Sequence, residues 1–161
     1  MSQESPQRGK PGPVLRVLLP MLQWFWPRVG TPLHVRLYRL LGGRVVGGGS
    51  LLLTTVGRRS GKPRTVIVGY VRDGDDLIVG DTNSAKPAIP PWALNLRAHP
   101  EAEVQLGRER FQASAEFLER EDRAGQWDRL LAADPGYDWA QRMAGREISV
   151  IRLRKVEGSS V

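Results

Sequence analysis

The chain has no cysteine, which excludes disulfide frameworks, thiolate metal sites and thiol nucleophiles. It has two histidines, His34 and His99, too few for a histidine-rich metal site. His34 sits among Pro32, Leu33 and Val35 with no Ser or Asp partner near it in sequence, so no catalytic triad can be built on it. His99 closes a predicted helix before Pro100, where an imidazolium suits the negative end of the helix dipole. No run reaches the roughly 18 apolar residues that span a bilayer, and no apolar run precedes a convincing signal cleavage site. Acidic residues are almost missing from the front of the chain, where Glu4 alone faces seven Lys/Arg within residues 1–50.

What is present describes one domain. The chain has 161 residues, 40% of them hydrophobic and 25% charged, enough to bury a core. The net charge of +7 points towards anionic partners. It is distributed unevenly. Residues 1–50 carry +6, residues 51–100 carry +3 (seven basic, four acidic), and residues 101–161 carry −2 (ten basic, twelve acidic). Arginine supplies 20 of the 24 basic residues, and its planar fork suits phosphate and carboxylate.

Residues 1–49 read as a basic, partly flexible N-terminal arm. Residues 1–13 are rich in Pro, Gly, Ser and Gln. The stretch 14–26 is apolar but interrupted by Arg16, Pro20 and Gln23. With Trp24, Phe25 and Trp26 followed by Arg28, Arg36 and Arg39, residues 14–44 either pack as short helices on the domain or rest on an anionic membrane face. The glycines at 42–43 and 47–49 end the arm.

Residues 50–157 read as a second unit with β texture. Strands are predicted over 51–56, 64–72, 76–80, 103–106, 110–118 and 147–155, with Asp73-Gly74 as a hairpin signal. Helices are predicted over 91–99, 119–133 and 138–144, the first with proline in its first turn. No alternation of strand and long helix appears, which argues against a Rossmann sheet. The expectation is an α+β fold: a small antiparallel barrel of about six strands with flanking helices.

The loop Gly57-Arg58-Arg59-Ser60-Gly61-Lys62 fails the Walker pattern, with three residues between its glycines and Pro63 after the lysine. It also lies between two strands. Arg58, Arg59, Lys62 and Arg64 nevertheless fall within seven residues without an acid among them. Such a loop is either a solvated, aggregation-resistant edge or an anion cradle, with glycines admitting the ligand and Ser60 adding a hydroxyl. The acids Glu116, Glu119, Glu121 and Asp122 suit a helix start. Asp73, Asp75 and Asp76 lack the spacing of a calcium loop.

The run from Leu51 to Leu106 resembles the deazaflavin-dependent nitroreductase family of actinobacteria. The residues that carry the resemblance are Thr54-Thr55, Gly57 to Arg64, Asp73-Gly74, Pro90-Pro91-Trp92, Asn95-Leu96 and His99-Pro100 to Val104. Pro135-Gly136-Tyr137 and Arg146-Glu147-Ile148 fit the family's ending. The resemblance implies a split β-barrel and coenzyme F-420, a deazaflavin with a phosphate and an oligoglutamate tail. Carried over by position, Arg58, Arg59 and Ser60 hold the phosphate side and Lys62 the tail. Arg64, Thr65, Val66, Ile67, Val68 and Gly69 run beside the ring. Gly80, Asp81, Thr82 and Asn83, with Pro91, Trp92, Ala93, Leu94 and Asn95, close the other walls. Tyr137 faces the ring or the substrate, and Tyr137 and Thr82 are the candidate proton or hydrogen-bond donors.

Gly69, Asn83 and Ala93 depart from the family pattern, which opens the substrate side and argues against carrying over nitro-prodrug activation. The expected enzyme is a cytoplasmic oxidoreductase, peripheral on the inner membrane face if the arm binds lipid. It transfers hydride from reduced coenzyme F-420 to a small-molecule acceptor (a quinone, enone or nitro compound). No metal is expected. One alternative is the same barrel using FMN, whose phosphate Arg58 and Arg59 would also suit. Another is a polyanion or nucleic-acid binding module. Against that stands the low aromatic content of 7%, not interleaved with the basic loop as stacking platforms require, so no nucleic acid is expected as a partner.

Overall fold

The structure, a computed structural model, describes residues 49–160. The N-terminal arm, and with it the expected membrane segment 14–44, lies outside the described residues except for Gly49. The elements run β1 Ser50–Val56, β2 Pro63–Gly69, β3 Val71–Asp73, β4 Asp76–Gly80, α1 Pro91–Ala98, β5 Glu101–Leu106, β6 Glu109–Phe117, α2 Arg120–Ala133, α3 Gly136–Ala144 and β7 Val150–Ser160.

The seven strands form one antiparallel sheet in the order β2-β1-β5-β6-β7-β4-β3. This is one strand more than the sequence led us to expect. The predicted strand 64–72 is divided at Tyr70, whose N–H still donates to Gly49 O at 3.0 Å on the β1 side before the chain passes to β3. The two pieces then go to opposite edges of the sheet. Seven strands laid flat would separate those edges by about 29 Å at the usual spacing, yet Gly69 and Val71 lie at most about 7 Å apart along the chain. The sheet must therefore curl until its edges meet at Tyr70. The last strand also differs from expectation, starting at Val150 rather than Glu147.

Two hairpins turn on glycine. Gly74 and Gly107 have φ of +62° and +64° as the first of two loop residues between Asp73 and Asp76 and between Leu106 and Glu109. A side chain there would be strained.

The continuous apolar runs are explained by burial on both faces. Leu77, Val79, Ile151 and Leu153 join Leu51, Leu53, Val104 and Trp92 in the main core. The alternate residues Ile78 and Val150 pack with Leu118 and Leu130 of the α2 side, against which Trp127 and Tyr137 lean. At about 25 cal/mol per Å² of apolar surface buried, each such side chain contributes on the order of 2 kcal/mol.

Candidate cofactor site

The basic loop 57–62 is a tight connection between β1 and β2. Gly57 N donates to Lys62 O at 2.9 Å, and Ser60 N and Gly61 N both donate to Gly57 O. A Cβ on Gly57 would lie 2.7 Å from Ser60 Oγ and 3.1 Å from Lys62 O, so a side chain there would displace Ser60 and crowd the turn. Asn95 ties the loop to α1. Its Oδ1 accepts from the Arg58 backbone at 3.1 Å and from the Arg58 guanidinium at 3.3 Å, while its Nδ2 donates to Thr55 Oγ1 at 3.1 Å. Asn95 is itself buried. It therefore fixes the Arg58 amide and orients the Arg58 side chain.

Arg58, Arg59, Lys62 and Arg64 are all exposed. Among the described residues, none of them forms an ion pair with a carboxylate. Four cations on one loop repel one another and persist without an internal counter-charge; a bound anion would supply it.

A second group of sequence-predicted residues meets at the sheet corner. Tyr137, at the start of α3, lies across Gly80: a Cβ on Gly80 would be 2.6 Å from Tyr137 Cε1. Its hydroxyl lies 3.6 Å from where a Gly69 Cβ would be. The absence of a side chain at Gly80 makes room for the phenol, while Gly69 stands at ordinary contact distance from its hydroxyl. Trp127 packs edge-on at 6.0 Å between centroids. Burial, and then the charge of Asp134, push the Tyr137 pKa above its usual value, while the Gly80 backbone amide works the other way. The phenol therefore keeps its proton throughout the neutral range.

The wall after β4 is held from behind. Asp81 is fully buried, and Arg146 reaches it from past α3. The guanidinium donates to Asp81 Oδ1 at 2.8 Å, Asp81 O at 2.6 Å and Pro87 O at 3.0 Å. Ser149 N adds a bond to Asp81 Oδ1 at 2.8 Å. Between these anchors Asn83, Ser84 and Ala85 all have positive φ, 47°, 53° and 61°, a conformation unfavourable for each. Asn83 Nδ2 donates to Ala88 O at 2.7 Å and helps to close the turn. Asn83 is thus engaged with its own loop.

Other predicted wall residues sit deeper. Trp92 and Ala93 belong to the core, as does Val68, so their side chains support the walls from within. Pro91 is exposed and Leu94 half-buried. Thr65 faces Thr54, with their hydroxyls 2.8 Å apart. Thr82 caps the 83–85 turn through its backbone carbonyl, which accepts from Ala85 N. His99 closes α1 as its C-cap, with its backbone N–H donating to Asn95 O at 2.8 Å. In the sequence Arg146 stands out only within Arg146-Glu147-Ile148, because its partner Asp81 lies 65 residues away. No cluster of three or more His, Asp or Glu residues suitable for a metal occurs among the described residues.

The fold is a curled antiparallel sheet with an arginine loop that no carboxylate of the described residues pairs, and a tyrosine over Gly80 at its corner. The comparisons specify it. The family model described as F-420H(2)-dependent quinone reductase matches residues 28–155. The chain belongs to that family, and is an oxidoreductase whose cofactor is coenzyme F-420; FMN is not needed. An F-420H(2)-dependent quinone reductase of Mycobacterium tuberculosis is 34% identical over 108 residues, which are 62% of this chain and 72% of that protein. Among solved structures, an F-420-H2 dependent reductase (FDR-A) superposes with a TM-score of 0.61 at 30% identity, covering 66% of this chain and 94% of its own. A second, described as a domain-swapped dimer, has a TM-score of 0.64 at 27% identity, covering 82% and 99%.

Proposed function

We propose that this protein, with the split β-barrel of its family, transfers hydride from reduced coenzyme F-420 to a quinone at the corner formed by Gly69, Gly80 and Tyr137. When bound, the reduced deazaflavin supplies the hydride. The observation that carries the reading is the join of the family match with four cations that no carboxylate of the described residues neutralises. Arg58, Arg59 and Lys62 are the groups to hold phosphate and the glutamate tail, with charge-assisted bonds that Arg forms two at a time. Ser60 and the loop amides add neutral donors.

The residues also fit a flat ring. Gly69 and Gly80 remove side chains on either side of the Tyr137 ring edge, and β2 presents backbone groups from Arg64 to Gly69 along the sheet edge. The chain's part in the chemistry is to orient the two reactants and exclude water. Tyr137 keeps a proton available to the acceptor oxygen as negative charge develops there, and Thr82 is the second candidate donor. Enones and nitro compounds belong to the same proposal as acceptors that need the same hydride and proton.

The test is a fluorescence titration with oxidised coenzyme F-420, followed by oxidation of the reduced form with a soluble naphthoquinone, an enone and a nitroarene. Absence of cofactor binding refutes the reading. Turnover of the enone or nitroarene alone refutes the quinone assignment.

The reading places the enzyme in the cytoplasm, with residues 14–44 on an anionic membrane face where lipid-soluble quinones reside. Its support is the +6 charge of residues 1–50 and the aromatic run at 24–26. No helix among the described residues is long and apolar enough to cross a membrane. Co-sedimentation with anionic and neutral vesicles, with and without residues 1–46, tests it.

A further inference from the structure

Where β6 passes into α2, the surface folds into an open cleft of about 370 Å³, a size that suits a small ligand. Of its lining residues only Ser149 also reaches the candidate cofactor site, through its backbone bond to Asp81. Three guanidiniums converge on it, from Arg97 of α1 and from Arg120 and Arg123 of α2.

Each is arranged differently. The Arg97 guanidinium carbon lies over the Phe117 ring, 4.1 Å from its centroid, and the side chain donates to Ser149 Oγ at 3.2 Å. That stacking fixes the fork, and no carboxylate among the described residues pairs with it. Arg123 pairs with Glu147 at 3.0 Å and donates to Ile148 O at 2.9 Å, so Glu147 is neutralised in place. Arg120 has φ of +51°. A bulky residue with positive φ at the head of a helix is unfavourable, and glycine would relieve it. The unpaired charges on the cleft wall are therefore Arg97 and Arg120 against the single carboxylate of Glu119. Phe117 and Leu118 supply apolar wall between them.

We propose that this cleft is a second binding site, for a small molecule with a carboxylate or phosphate on a flat apolar body. The anion lies between the Arg97 and Arg120 forks. The apolar body rests against Phe117 and Leu118. Arg123, already engaged with Glu147, stiffens the wall.

The probe is phenyl phosphate, added to the full-length protein at constant ionic strength and followed by amide NMR shifts at residues 117–123 and 147–149. Inorganic phosphate carries the charge without the ring, and benzyl alcohol the ring without the charge. Phenyl phosphate should bind at least tenfold more tightly than either. Arg97→Ala should weaken it at least tenfold, and Arg97→Lys should not restore it. Arg120→Gly separates binding from stability: melting temperature should hold or rise while affinity falls severalfold. Unchanged affinity in both Arg97→Ala and Arg120→Gly overturns the proposal, as does equal binding of benzyl alcohol. Displacement of phenyl phosphate by coenzyme F-420 assigns the cleft to that molecule's anionic tail and overturns the claim of a second site.

Discussion

Arg146 holds Asp81 by both its side chain and its main chain, at 2.8 Å to Oδ1 and 2.6 Å to the carbonyl oxygen. One guanidinium thus fixes the start of the strained 82–88 segment, and its third bond, to Pro87 O, fixes the end. Removing Arg146 would leave a fully buried carboxylate uncompensated. Arg146→Gln should therefore destabilise the fold by about 3–5 kcal/mol. Asp81→Asn should cost less, because the amide oxygen still accepts from Arg146 and Ser149. Urea unfolding of the two variants checks the order.

In the basic loop, Arg59→Ala should raise the dissociation constant for coenzyme F-420 by roughly tenfold, as loss of one charge-assisted contact does. The melting temperature should not move, since Arg59 is exposed and makes no ion pair among the described residues. Arg58→Ala should behave alike, because the backbone bond from Arg58 to Asn95 survives the substitution. Cofactor affinity equal to the parent in both variants would show that the anion lies elsewhere.

Asn95→Ala tests the tie between loop and helix. It leaves the Arg58 amide and Thr55 hydroxyl without their partner, a cost of about 1–3 kcal/mol in a buried setting. Both stability and cofactor affinity should fall, in contrast to the loop arginines, where affinity alone falls. Differential scanning calorimetry beside the fluorescence titration separates the two patterns.

The two glycines at the corner should differ in tolerance. Gly80→Ala brings a Cβ to 2.6 Å from Tyr137 Cε1, and the ring must move; Gly69→Ala meets only ordinary contacts at 3.6 Å and beyond. Gly80→Ala should lower both the melting temperature and the rate of F-420H(2) oxidation, with Gly69→Ala close to the parent in stability. Thermal melts and steady-state rates on the pair would show it.

Tyr137 carries a pH signature. Its pKa is raised in the fold, so the stability that comes from keeping the phenol neutral is fully present below about pH 10, the unfolded value. It is lost as pH rises through the folded pKa. Tyr137→Phe should remove this component, so the stability gap between parent and variant should narrow or reverse above pH 10. Denaturant titrations at pH 8 and pH 11 measure it.

Much of the frame was legible where the signal is local. Asp73-Gly74 marks its hairpin, and the proline-headed helix at 91 is bounded by the sequence to within a residue. The basic loop stood out because charge clustering is visible in one dimension. The break at Tyr70 was not legible, because 64–72 is uniformly β-forming and only the closing of the sheet divides it. Nor was the burial of Trp92 and Ala93, which depends on where α1 lies against the curled sheet. Arg146 escaped for the same reason: its role exists only through Asp81 and Pro87, distant in sequence.

The position of β7 has a consequence for how the protein is made. The last strand of the chain is an interior strand, between β6 and β4, whereas β1·β2, β3·β4 and β5·β6 are neighbours in sequence as well as in space. During synthesis the three hairpins can form as they emerge, but β4 has no partner on its inner side until residue 150 and beyond has left the ribosome. The pairing of Gly80 with Val150 closes a loop of some seventy residues, an entropic cost that must be met late. Until then the nascent chain exposes two unpaired strand edges, and the eleven residues of β7 act as the fastener that removes both at once.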